Sequence, residues 1–125
     1  MDPTLHDIRI EGIRSLIAPV IVIDDVAVGE KEREFIVQSR ETAEAIFKGD
    51  EDRLLVLVGP CSIHDSECAL EYAEKLRQIS DELSDDLFLV MRVYFEKPRT
   101  TLGWKGYIND PYLDGSFHIN RGLHM

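Results

Sequence analysis

Leu54-Leu55-Val56-Leu57-Val58 runs straight into Gly59-Pro60-Cys61, and this stretch decides the fold. An apolar run without polar alternation is the pattern of a strand covered on both faces, and Gly-Pro stops it abruptly. Downstream, Ala69, Tyr72, Ala73, Leu76, Ile79 and Leu83 fall on one face at helical spacing. They predict an amphipathic helix from Ser66 to about Leu83, with Ser66 or Asp65 as its N-cap. A second apolar run, Leu87 to Tyr94, predicts a second buried strand. Strand, helix, strand is a βαβ unit, so the fold class is α/β with parallel strands.

Upstream, Phe35, Ile36, Ala43, Ile46 and Phe47 predict a helix over Glu30–Lys48, stopped by Gly49. Residues 1–28 read as an extension with two short strand candidates, Asp7–Ile10 and Val20–Ile23, separated by Pro19. Thr100 to Phe117 is loop-like, punctuated by glycines, Asn109, Asp110 and Pro111, and Ile119 onward reads as the start of a helix. One βαβ unit leaves two strand edges unpaired, so the expectation is that further chain or a partner completes the sheet.

The chain has 125 residues and a formal net charge of −10. Such an acidic balance argues against a general affinity for nucleic acid or anionic membrane. No apolar stretch approaches a membrane span, no secretory signal pattern opens the chain, and its two cysteines are too few for a disulfide scaffold. A reducing, cytoplasmic compartment is the expectation, with Cys61 kept as a thiol.

Within this acidic chain, Arg92, Lys97, Arg99 and Lys105 gather just past the second strand, with Glu96 as the acid among them. Guanidinium and ammonium groups suit phosphate and carboxylate oxygens, and Thr100 and Thr101 add hydroxyl donors. The alternative is a solvated basic loop; Arg92, placed inside an apolar strand, speaks for a partner or ligand. Parallel strands bring their carboxyl ends to one rim, where α/β folds bind ligands, so Cys61 and Lys97 can face one pocket. Cys61 is either a metal-binding or nucleophilic thiolate or simply a small buried hydrophobe. Cys61-x-x-His64 is too little for a zinc site, and Cys68 reads as a packing residue. Trp104, Tyr107 and Tyr112 suit a lid, an interface or plain packing.

Gly59-Pro60-Cys61-Ser62-Ile63-His64-Asp65, then Met91-Arg92-Val93-Tyr94-Phe95-Glu96-Lys97-Pro98-Arg99-Thr100-Thr101, then Gly103-Trp104-Lys105-Gly106 and Ile108-Asn109-Asp110-Pro111 together resemble the 3-deoxy-7-phosphoheptulonate synthases of the aromatic-amino-acid-regulated branch. The resemblance implies the start of a (β/α)8 barrel over residues 51–125, incomplete in this chain, behind an N-terminal extension over residues 1–50. It implies condensation of phosphoenolpyruvate with erythrose 4-phosphate, the first step of the shikimate pathway, assisted by a divalent metal ion of the Mn, Fe, Co or Zn class. By resemblance, Cys61 is a metal ligand, Arg92 binds phosphoenolpyruvate, Lys97 is the active-site lysine, and Pro98, Arg99 and Thr100 form the erythrose 4-phosphate contacts. Asp7 and Ile10 match the segment that pairs across a dimer and helps form the site for an aromatic amino acid effector, and the complete enzyme is a homodimer or homotetramer. The remaining metal ligands belong to later strands, so the expectation is a catalytically incomplete piece. The alternatives are a non-catalytic effector-binding or oligomerisation piece, and an octulosonate phosphate synthase-like enzyme; Lys-Pro-Arg-Thr-Thr followed by Gly-Trp-Lys-Gly favours the heptulosonate chemistry.

Overall fold

A computed structural model describes residues 8–10, 12–97 and 102–125 of the chain. Its elements are helix α1 (Pro19–Asp25), helix α2 (Glu30–Lys48), strand β1 (Leu54–Val58), helix α3 (Ser66–Glu82), strand β2 (Leu87–Met91) and helix α4 (Ile119–Gly122). The two strands form a parallel pair in register from Leu54 opposite Leu87 to Val58 opposite Met91. Helix α2 packs against β1, and α3, the crossover of the βαβ unit, packs against β2.

Local chemistry explains the helix limits. Glu30 and Glu32 occupy the first turn of α2 and Lys48 its last, complementing the helix dipole. Gly49 then adopts a left-handed φ of 80°, and its N–H reaches the carbonyls of Ala45 and Ile46. Asp65 caps α3 by accepting a 2.7 Å hydrogen bond from the Cys68 backbone N–H. That bond holds the Asp65 carboxyl below its ordinary range. Asp65 in turn pushes the Cys68 thiol upward, chiefly by hydrogen bonding to it and then by charge.

Four expectations are corrected. Val20–Ile23 is not a strand but the body of α1. Pro19 at the first turn presets a helical φ, and the Ala18 carbonyl accepts from Ile21 and Val22 N–H. Of the other strand candidate, Asp7 lies outside the described residues, and Ile8 and Arg9 lie in a turn. β2 stops at Met91 rather than Tyr94, because its partner β1 stops at Val58; the last rung runs from Arg92 N–H to the Val58 carbonyl at 2.7 Å. Finally, the strands are not buried on both faces: Leu54 and Leu57 are 65% and 70% exposed. Two strands and the helices beside them cannot cover both faces of a parallel pair.

Burial instead concentrates beyond the carboxyl ends of the strands. Ile63, Tyr107 and Pro111 are buried apolar side chains, and Ser62 and Asp110 buried polar ones, among the described residues. The most buried side chains among the described residues therefore lie in the segments around Arg92, Lys97 and Lys105.

Candidate functional site

The rim is built from three backbone segments stitched side by side. Beyond β1, Gly59 takes a φ of 156°, and a Cβ there would lie 2.6 Å from the Arg92 carbonyl oxygen. Only glycine lets the two exits approach this closely. The following turn is tied to the β2 exit by a 2.8 Å bond from Ile63 N–H to the Tyr94 carbonyl. On the other side, Lys97 N–H donates to the Lys105 carbonyl at 2.7 Å, and Glu96 pairs antiparallel with Gly106. Gly106 has a φ of 132°, and a Cβ there would strike the Phe95 carbonyl and sit 2.6 Å from Glu96 Cα. The Arg92–Lys97 segment thus lies between Gly59–Ile63 and Lys105–Ile108.

Arg92 stands just past β2, not inside it, and it is exposed. Its Nε and Nη2 donate to the Pro60 carbonyl at 3.1 and 3.0 Å, and Nη2 reaches the Gly59 carbonyl at 3.4 Å. The guanidinium also lies 5.5 Å from the centroid of the Tyr94 ring. Neutral carbonyls orient the group without cancelling its charge. Arg53 is the contrast: Glu51 grips it at 2.9 and 3.2 Å, so that charge is already answered. Arg92 is therefore an oriented cation at the rim, held on the carbonyl of Pro60, the residue before Cys61.

Cys61 is a free, exposed thiol on the turn that Arg92 holds. The buried-hydrophobe alternative does not apply to it, and exposed Cys68 is not a packing residue either. His64 is exposed as well. Among the described residues no three His, Cys, Asp or Glu side chains gather into a metal-holding group. Cys61 offers one soft donor, which by itself does not make a metal centre.

The structure thus joins the turn carrying Cys61 to the Arg92–Lys97 segment through backbone and Arg92 hydrogen bonds, with Lys97 half-buried. Pro98, Arg99 and Thr100, expected as substrate contacts, lie outside the described residues, as do Thr101 and Asp7. Ile10 is described and 52% exposed. Sequence reasoning missed Asn109 and Asp110. Asn109 Nδ2 donates to Glu96 Oε1 at 3.1 Å, bracing the strand-like segment before Lys97. Asp110 receives the Trp104 indole N–H on its backbone carbonyl at 2.8 Å. The signal is Asn-Asp-Pro, which marks the loop and belongs to the family-like motif but assigns no role to either residue.

Among the described residues no helix is long and apolar enough to cross a membrane. Residues 26–125 match the family model described as the DAHP synthetase I family. The Phe-sensitive phospho-2-dehydro-3-deoxyheptonate aldolase of Escherichia coli K12 is 50% identical over 119 residues, covering 95% of this chain and 34% of that protein. The tyrosine-inhibited phospho-2-dehydro-3-deoxyheptonate aldolase of Schizosaccharomyces pombe is 50% identical over 121 residues, covering 97% of this chain and 32% of the relative. A solved phospho-2-dehydro-3-deoxyheptonate aldolase from Francisella tularensis superposes with a TM-score of 0.86 at 47% identity, covering 92% of this chain and 34% of that one. The chain thus spans about a third of the length of these relatives.

Proposed function

The chain belongs to the DAHP synthetase I family, and on that premise we propose that its rim is part of a site for condensing phosphoenolpyruvate with erythrose 4-phosphate. The observation that carries the reading is the Arg92 guanidinium, fixed by the Gly59 and Pro60 carbonyls yet keeping its charge. In this role Arg92 holds the phosphate or carboxylate of phosphoenolpyruvate. Lys97, tethered through its N–H to the Lys105 carbonyl, places a second cation on the same rim. Pro98, Arg99 and Thr100 are proposed to form the erythrose 4-phosphate contacts, from the resemblance alone. Residues 51–125 would be the start of a (β/α)8 barrel, incomplete in this chain, with β1 and β2 as its first strands; active sites of such barrels lie at the carboxyl ends of the strands.

The family resemblance implies a divalent metal, but the described residues fit it only in part. Cys61 is proposed as one thiolate ligand, and no step is routed through a metal held by it alone. These 125 residues are accordingly proposed to contribute substrate-binding groups without completing turnover. Residues 1–50 are proposed as the effector and oligomer region, with Asp7 and Ile10 toward an aromatic amino acid. The support is indirect: relatives named as Phe-sensitive and tyrosine-inhibited match this chain over nearly its whole length.

Calorimetric titration of the purified chain with phosphoenolpyruvate tests the proposal. Saturable binding that vanishes in Arg92→Ala is expected, with no heptulosonate phosphate formed when erythrose 4-phosphate is added. Absence of binding at about 10 mM ligand, weaker than the ~3 kcal/mol that such a concentration detects, would remove the substrate role from this rim.

A further inference from the structure

We infer that Asp110 is a positioning residue, which sets the backbone pairing that presents Lys97. The loop after Lys105 has no regular structure before α4, yet Asp110 is only 4% exposed. Its carboxylate accepts from Gly115 N–H at 3.0 Å and from Phe117 N–H at 3.4 Å. Its own N–H donates to the Gly106 carbonyl at 3.0 Å. Its carbonyl accepts from the Trp104 indole at 2.8 Å and from Leu113 N–H at 3.2 Å. One residue thereby ties both ends of the loop together.

The loop needs such a tie. Leu113 and Phe117 hold φ values of 56° and 52°, a left-handed conformation that disfavours non-glycine residues. Asp110 bonds the N–H of one of them through its side chain and of the other through its carbonyl. The same residue fixes Gly106, and Gly106 pairs with Glu96 beside Lys97. Asp110 touches no proposed ligand group; it acts on Lys97 through the Lys105–Ile108 segment. Its consequence for ligand rests on the reading of Lys97 as a substrate-binding residue, whereas its consequence for the backbone does not.

Hydrogen exchange of the full chain, read by mass spectrometry, separates the two. In Asp110→Ala, peptides over 94–97 and 104–108 are expected to exchange faster by about tenfold or more, with α2 and α3 peptides unchanged. Asp110→Asn should fall between, because an amide offers one acceptor oxygen where the carboxylate offers two. Emission of Trp104, the single tryptophan, should shift to the red in step with exchange. Phosphoenolpyruvate affinity should weaken by about tenfold in Asp110→Ala. Unchanged exchange over 94–97, or equal acceleration throughout α2 and α3, would overturn the inference. Faster local exchange in the variant together with no phosphoenolpyruvate binding by the parent chain would uphold the positioning role and refute the substrate reading instead.

Discussion

Gly59→Ala is the sharpest perturbation of the rim. A Cβ at this position meets the Arg92 carbonyl oxygen at 2.6 Å, the Arg92 nitrogen at 3.0 Å and the Arg92 Cβ at 3.2 Å. The first two are backbone atoms, which cannot swing aside as a side chain would. Relief requires a retreat of about 0.8 Å, from 2.6 Å to the 3.4 Å at which ordinary contact begins. Movement of that size takes the 2.7 Å bond from Arg92 N–H to the Val58 carbonyl to the edge of hydrogen-bond distance. Losing that bond costs about 1 kcal/mol, and holding alanine at a glycine-only φ costs ~1–3 kcal/mol more. The expected destabilisation is therefore about 2–4 kcal/mol, a large fraction of what a small domain has. Urea unfolding followed by circular dichroism measures it, with Gly12→Ala as the control, since nothing lies within 4 Å of a Cβ there. A Gly59→Ala chain that unfolds within about 0.5 kcal/mol of the parent would show that the two exits do not need their close approach.

Arg92→Lys keeps the charge but loses the fork that grips the Pro60 carbonyl from two nitrogens. Phosphoenolpyruvate affinity is expected to fall about tenfold by calorimetry, and parental affinity would mean that orientation is irrelevant. Gly122→Ala drives a Cβ into the Ile108 carbonyl, 2.7 Å from its carbon and 2.8 Å from the Ile108 Cα. Overpacking of this kind costs about 1–3 kcal/mol, and faster hydrogen exchange in α4 should report it. Asp65 is stabilised as a carboxylate by the Cys68 N–H, so its folded pKa lies below the unfolded value. Its support of α3 is thus full above the unfolded pKa of about 4 and lost as pH falls through the lowered folded value. Acid titration by circular dichroism should show this loss in the parent and not in Asp65→Ala. The same variant removes the group that raises the Cys68 thiol, so Cys68 alkylation at pH 8 should quicken, read by mass spectrometry on its peptide.

Much of the architecture could be read from neighbouring residues. α2 begins at Glu30 and ends at Lys48 as expected, because dipole-matched charges and Gly49 act within one turn of the helix ends. β1 covers its apolar run from Leu54 to Val58, and α3 departs from its expected end by one residue. Val20–Ile23 misled because β-branched apolar residues suit a strand only when another strand lies alongside. Pro19 was read as a break between segments, whereas it opens a helix. The basic cluster was visible as composition, but its division of labour was not. Arg92 is held by the Pro60 carbonyl, whereas Arg53, outside the cluster, is paired with Glu51, and the sequence position of Arg92 does not reveal the carbonyl that holds it.

By itself, the sequence determined the rim's location, the residue types on it and the family they belong to. Gly59-Pro60-Cys61 and the run from Arg92 carry that information as contiguous motifs. Tertiary structure decided which of these groups meet. β2 ends at Met91 because a strand lasts only while its partner supplies rungs, and β1 turns away at Gly59. Arg92 is freed from the sheet by that early end and turns its guanidinium onto the Pro60 carbonyl, 32 residues away in the chain. Asp110, read from sequence as a turn residue, became the buried tie of the loop beside Lys97. Propensity and capping act over a few residues, so they are legible in order along the chain. Hydrogen bonds between the two strand exits depend on how distant segments approach, and only the folded backbone sets that distance.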